Sequence, residues 1–267
     1  VARLGGDEFT VILGEMASLD GLERVAKLLI QRLSEPFTLS DEVVFVSASI
    51  GITLYPDDGL ELGQLLRNAD QAMYAAKNLG RNRYSFFTAA MQEALTARAA
   101  MVTDLRGALA NQEFGLVYQP IVELSSGAVH KAEALLRWQH PERGGISPAE
   151  FVPLAEDAGL IHEIGDWVFQ TASRQVARWR QILHPDFQIS VNKSPQQFLD
   201  SRHGALDWLD WLRRLELPGN AVAVEITEGL LLEANTKASE HLLVFRDAGV
   251  QVAIDDFGTG YSSLAYL

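Results

Sequence analysis

Val222-Ala223-Val224-Glu225 is a short apolar run closed by a carboxylate, flanked by two runs of the same kind, Ile189-Ser190-Val191-Asn192 and Val252-Ala253-Ile254-Asp255. Each is too short for a helix and carries β-branched residues, and the stretches between them, residues 204–215 and 233–248, show amphipathic helical spacing. Outward from these runs, strands are expected near 114–122, 129–138, 187–192, 221–226 and 250–255. A helix is expected over 166–183, and another after Ser147-Pro148-Ala149-Glu150, which reads as a capping box with proline at the first helical position. Repeated strand-then-helix units of this kind predict an α/β fold with a parallel sheet, open or closed into a (β/α) barrel. Five strands fall short of an eight-stranded barrel, so the barrel is expected to be truncated where the sequence stops.

The polar residues at the strand ends carry the chemistry. Glu133 in Ala132-Glu133-Ala134-Leu135-Leu136-Arg137, Asn192, Glu225 and Asp255 all lie at or near the ends of apolar runs. On a (β/α) barrel the carboxyl ends of the strands converge on one face, so residues far apart in sequence meet there. One acid at a strand end is ordinarily a helix cap or a solvated rim residue; four such positions in successive strands point instead to a shared site. Three carboxylates and an amide oxygen make a hard, oxygen-only set suited to Mg²⁺ or Mn²⁺. Asp256 adjoins Asp255, and a turn at the strand end can aim both carboxylates at metal. Two metals sharing a carboxylate are a standard device for phosphodiester hydrolysis. The six histidines show no metal-ligand spacing, and His140, before Pro141, reads as a packing or turn residue.

Composition limits the partners. The chain has 267 residues, 48% of them hydrophobic, with 35 acidic against 22 basic residues and a net charge of −13. That charge repels a nucleic-acid polymer at long range, while small anionic ligands neutralised by metal remain open. Without cysteine there is neither a disulfide framework nor a thiolate metal site, which fits a cytoplasmic location. No apolar run approaches the roughly 18 to 20 residues of a membrane span. Because the sequence opens on Val1 rather than Met, upstream sequence is expected, and a membrane anchor there is compatible with the rest.

Residues 1–87 follow a different pattern. Phe9 to Leu13 reads as a strand, Leu22, Val25, Leu28, Leu29 and Leu33 share a helical face, and Val43 to Thr53 is β-rich with Gly51 breaking the run. A second helix carries Leu62, Leu65, Leu66, Ala69 and Met73, and Arg83 to Phe87 closes an α+β module that is only partial. Alanine-rich residues 88–111 read as a helical linker, which leaves 112–267 as the second domain.

Glu133-Ala134-Leu135 followed by Leu136-Arg137-Trp138 resembles the signature of the EAL family of cyclic-di-GMP phosphodiesterases. Tyr118-Gln119-Pro120, Phe151-Val152-Pro153-Leu154-Ala155-Glu156, Val191-Asn192, Glu225-Ile226-Thr227-Glu228 and the run from Asp255-Asp256-Phe257-Gly258 to Leu264 match that family in order. Arg3-Leu4-Gly5-Gly6-Asp7-Glu8-Phe9, Ser49-Ile50-Gly51 and Ala69 to Lys77 are similar to GGDEF diguanylate cyclases. The resemblance implies a tandem GGDEF–EAL protein of bacterial second-messenger signalling, with an EAL-type (β/α) barrel that opens cyclic-di-GMP to linear pGpG.

Carried over residue by residue, the resemblance makes Glu133, Asn192, Glu225, Asp255 and Asp256 ligands of a two-metal Mg²⁺ or Mn²⁺ site. Gln119, Leu135 and Arg137 would contact the dinucleotide, Arg137 through a phosphate oxygen, and Glu228 would anchor the loop that begins at Asp255. Gly5 and Gly6 would let the hairpin backbone approach GTP, Asp7 would touch its metal, and Glu8 completes the signature. A homodimer through the EAL domain is expected. The family's catalytic lysine and one further metal-binding glutamate would lie beyond Leu267, and Lys193, next to Asn192 at a strand end, should point away from the site. Two other activities stay open: a cyclic-di-GMP receptor that does not cleave its ligand, and a net diguanylate cyclase acting on GTP.

Overall fold

The computed structural model describes residues 1–14, 19–39, 42–199, 205–227, 229–230 and 236–255. Contacts divide the chain into two units, Val1–Ala97 and Arg98 onward.

In the first unit, β1 (Ala2–Gly5) and β2 (Glu8–Thr10) form an antiparallel hairpin that turns at Gly6-Asp7. Gly6 has φ +52°, the left-handed region that a two-residue hairpin turn demands and glycine enters without strain. The strand expected over Phe9 to Leu13 is thus shorter and starts earlier, because pairing with β1 ends at Thr10. Helix α1 (Leu19–Leu33) follows, then an antiparallel pair, β3 (Phe37–Leu39) and β4 (Glu42–Val44). Strand β5 (Ile50–Ile52) pairs in parallel with β6 (Tyr84–Phe86) across helix α2 (Leu62–Asn78). Gly51 does not break the run: it sits at the centre of β5, opposite Ser85, where a Cβ would come within 1.8 Å of the Ala69 carbonyl oxygen. The helix lies directly on the strand there. For the same reason its most buried positions are the small residues Ala72 and Ala76, with Asn68, whose Nδ2 donates to the Asp58 carbonyl at 2.7 Å.

Helix α3 (Ala89–Ala108) crosses the boundary between the units, and Met101, Leu105 and Ala108 of its second half are buried in the core of the second. Strands β7 (Phe114–Val122) and β8 (Val129–His140) form an antiparallel hairpin, with β9 (Gly144–Ile146) on the end of β8. Here the expected strand-then-helix alternation does not hold, because the six residues joining β7 to β8 are too few for a parallel crossover. From β8 onward it does. Helices α4 (Pro148–Asp157) and α5 (Ile161–Ile182) lead to β10 (Gln188–Asn192). Helices α6 (Gln196–Leu199) and α7 (Ala205–Arg214) lead to β11 (Val222–Thr227), and α8 (Thr236–Asp247) leads to β12 (Gln251–Asp255). The sheet runs β12-β11-β10-β8-β7, parallel from β12 to β8.

One face of this sheet is apolar and packs on the helices. Ala132, Ala134 and Trp138 of β8, Ile189 and Val191 of β10, and Val222, Val224 and Ile226 of β11 are buried against Phe151, Phe169, Val176, Leu212 and Phe245. At about 1.5 to 3 kcal/mol for each large side chain removed from water, this layer is the main force that flattens the strands together. Helix α4 starts at Ser147-Pro148 as expected, but the Ser147 hydroxyl makes no cap bond; its carbonyl accepts from Glu150 and Phe151 N–H at 2.9 and 3.2 Å. His140 ends β8 and braces the turn after it, its Nδ1 accepting from the Glu142 and Arg143 backbone N–H groups. Among the described residues no helix is long and apolar enough to cross a membrane.

Candidate active site

Strand alternation that turns Ala132 and Ala134 toward the helices turns Glu133, Leu135 and Arg137 to the opposite face. The register carries that face across the sheet. Gln119 of β7 lies opposite Glu133, and Val117 opposite Leu135. Ser190 of β10 aligns with Glu133, Asn192 with Glu225 of β11, and Glu225 with Ala253, two residues before Asp255 on β12. Gln119, Glu133, Arg137, Ser190, Asn192, Glu225 and Asp255, from five strands, therefore share one sheet face.

Within that set, Asn192 Nδ2 donates to Glu133 Oε1 at 2.8 Å. Glu225 is half-buried, and burial is the main cause that pushes its carboxyl above the usual range; the charges of Glu133 and Asp255 push the same way, and the Ser190 hydroxyl, donating to it, opposes them. Acidic groups crowded in this way, next to an amide oxygen, are the donor chemistry of a hard divalent cation, which would relieve the repulsion they impose on one another. Among the described residues no three His, Cys, Asp or Glu side chains already converge as a finished metal cluster. Arg137 is exposed and bonded locally, Nη1 to the Leu136 carbonyl at 2.8 Å, and Gln119 is exposed. Asp256 and Glu228 lie outside the described residues.

Sequence reasoning missed Ser190. Its signal was one hydroxyl inside an apolar run, two residues before Asn192 and so on the same face. Removing it deprives the Glu225 carboxylate of a donor. We expect Ser190→Ala to weaken Mn²⁺ binding about tenfold, as outer-shell changes at metal sites do, with little effect on folding; calorimetric titration of the metal checks it, and an unchanged affinity refutes it.

Lys193 points away from this face, as expected. It is 2% exposed, on the helix side, with Nζ 3.8 Å from the Trp208 ring centroid and 5.3 Å from that of Phe198. Burial pushes its ammonium down to about 8, against the opposing pull of Asp166.

In the first unit, Gly5 ends β1, Gly6 and Asp7 form the turn and Glu8 opens β2, all exposed. Arg3 Nε and Nη2 donate to the Gly6 carbonyl at 2.9 and 2.6 Å and brace the turn.

Glu133, Asn192, Glu225 and Asp255 thus lie on one face of a (β/α) sheet that is parallel from β8 to β12. The EAL domain model matches residues 102–267, and the chain belongs to that family; the model for the diguanylate cyclase GGDEF domain matches residues 1–83. The chain is 42% identical over 268 residues to the bifunctional diguanylate cyclase/cyclic di-GMP phosphodiesterase MucR of Pseudomonas aeruginosa, across all of this chain and 39% of that protein. It is 40% identical over 268 residues to the cyclic di-GMP phosphodiesterase PdeR of Escherichia coli, again across all of this chain and 40% of that protein. A solved structure of the PaMucR phosphodiesterase in complex with c-di-GMP superposes with a TM-score of 0.58 at 40% identity, covering 62% of this chain and 67% of the other. The chain thus spans about two fifths of the length of these curated relatives.

Proposed function

We propose that the protein hydrolyses cyclic-di-GMP to linear pGpG in bacterial second-messenger signalling. The observation that carries this reading is the Asn192–Glu133 bond beside a half-buried Glu225 that feels the charges of Glu133 and Asp255. The names of MucR and PdeR and the c-di-GMP in the PaMucR complex support it. Glu133, Asn192, Glu225, Asp255 and Asp256 would hold two Mg²⁺ or Mn²⁺ ions, which when bound supply a nucleophilic water at neutral pH and offset charge on the phosphoryl oxygens. Arg137, released from the Leu136 carbonyl, would fork onto a phosphate oxygen, and Gln119 and Leu135 would seat the dinucleotide. Glu228 would hold the segment after Asp255 in place. The assigned parts are a GGDEF portion at 1–87, a connecting helix within 88–111 and an EAL portion at 112–267, acting in the cytoplasm as a homodimer through the EAL part.

A second activity is favoured by one observation, the intact hairpin with Gly6 and Asp7 at its turn, open for GTP. Mass spectrometry of products from the full-length protein tests both. Cyclic-di-GMP with Mg²⁺ or Mn²⁺ should yield pGpG, and GTP should yield cyclic-di-GMP if the hairpin is active. Ligand bound and returned intact would overturn hydrolysis and leave a receptor.

A further inference from the structure

We infer that Lys193 is a positioning residue for the metal ligand beside it: its ammonium, seated on the Trp208 ring, fixes the strand end from which Asn192 reaches Glu133. The inference rests on the active-site reading above.

Lys193 is held at both ends. Its backbone N–H donates to the Glu225 carbonyl at 2.9 Å, which ties the end of β10 to β11. Its side chain follows Ile189 and Val191 to the helix side, where Nζ has no hydrogen-bond partner among the described residues and rests instead over the Trp208 ring. That ring is a rigid platform. It also stacks on Phe169 of α5, centroids 4.0 Å apart and planes 16° apart, lies 6.2 Å from the Phe245 ring, and donates from Nε1 to Asp166 Oδ1 at 2.7 Å. The turn that follows is secured too, with Ser194 Oγ donating to Glu156 Oε1 at 2.6 Å and Ser194 N to Gln197 Oε1 at 3.1 Å. Asn192 alone in this segment is exposed on the site face, so its aim is set by its neighbours.

Methionine would fill the same channel without a charge to desolvate. What lysine adds is attraction of a cation to the face of a fixed ring, which sets the distance between strand end and helix. Groups that orient a metal ligand from behind change metal affinity or activity about 10- to 100-fold when lost.

The test uses the full-length protein, with Mn²⁺ titration in the absence of substrate, cyclic-di-GMP turnover and thermal melting, for Lys193→Met and Lys193→Arg. We expect Lys193→Met to bind Mn²⁺ about tenfold more weakly and to lose about tenfold in kcat with KM little changed, while melting no earlier. Lys193→Arg, which keeps a cation that stacks on rings, should recover most of both. Mn²⁺ affinity unchanged in Lys193→Met overturns the inference while leaving the active-site reading intact. A loss that tracks earlier melting and is not restored by arginine overturns it in favour of plain packing. If the unsubstituted protein neither binds Mn²⁺ nor opens cyclic-di-GMP, the active-site reading falls and this inference with it.

Discussion

Glu133→Ala should lower turnover of cyclic-di-GMP by about a thousandfold or more, near 4 kcal/mol of transition-state stabilisation, in the full-length protein. Glu133 stands at the middle of the polar face, paired across the sheet with Gln119 on one side and Ser190 on the other. Its Oε1 also accepts the amide of Asn192, so alanine would remove one of the proposed ligands and free a second. A hard cation held by oxygen alone depends on charge count, so losing one carboxylate weakens its hold. Glu133→Gln separates the two effects, because its amide oxygen can still accept from Asn192 while the charge is gone. Turnover in the glutamine variant should fall nearly as far as in the alanine variant if charge dominates. Near-native turnover of Glu133→Ala in saturating Mg²⁺ would sink the metal assignment.

The strand ends were legible because two independent signals coincide there: a short β-branched run, and a polar residue where that run stops. Hence β10, β11 and β12 lie within a residue or two of expectation with Asn192, Glu225 and Asp255 on one face, whereas Glu133, expected near a strand end, joins that face from the middle of β8 because the strand runs on to His140. Alternation says nothing of direction, so the antiparallel entry of β7 was hidden until its short connection to β8 was weighed. Strand β9, Gly144–Ile146, is too short and too glycine-rich to show periodicity. Gly51 was misread because a glycine that interrupts a β-branched run and one that admits a helix backbone look alike in sequence; only the position of Ala69 tells them apart. The clamp on Lys193 is tertiary: Lys193 follows β10, Trp208 lies on α7, and its backing ring, Phe169, comes from before β10.

Lys193 also gives a stability prediction with a definite pH signature. Its ammonium titrates near 8 in the folded protein against an ordinary value of 10.5, with burial the main cause. A lysine depressed in this way binds its proton more weakly folded than unfolded, so its cost to folding is complete below about pH 8. As pH rises from about 8 to about 10.5 the unfolded chain carries the extra proton, and the slope of unfolding free energy with pH is positive for this group. The cost is gone above that window. At 1.36 kcal/mol per pKa unit it amounts to at most about 3 kcal/mol at pH 7, and attraction to the Trp208 face offsets part of it. We therefore expect Lys193→Met to be more stable than the unsubstituted protein by about 2 kcal/mol at pH 7, with the difference shrinking toward zero by about pH 10. All five tryptophans lie between Trp138 and Trp211, so their fluorescence during urea unfolding reports the second unit alone. Groups that titrate in both proteins cancel in the comparison. Parallel stability curves across this range, or a methionine variant less stable at pH 7, would show that the ammonium is not strained by burial. A variant that gains stability while losing Mn²⁺ affinity would mark Lys193 as a site where folding free energy is given up to aim Asn192.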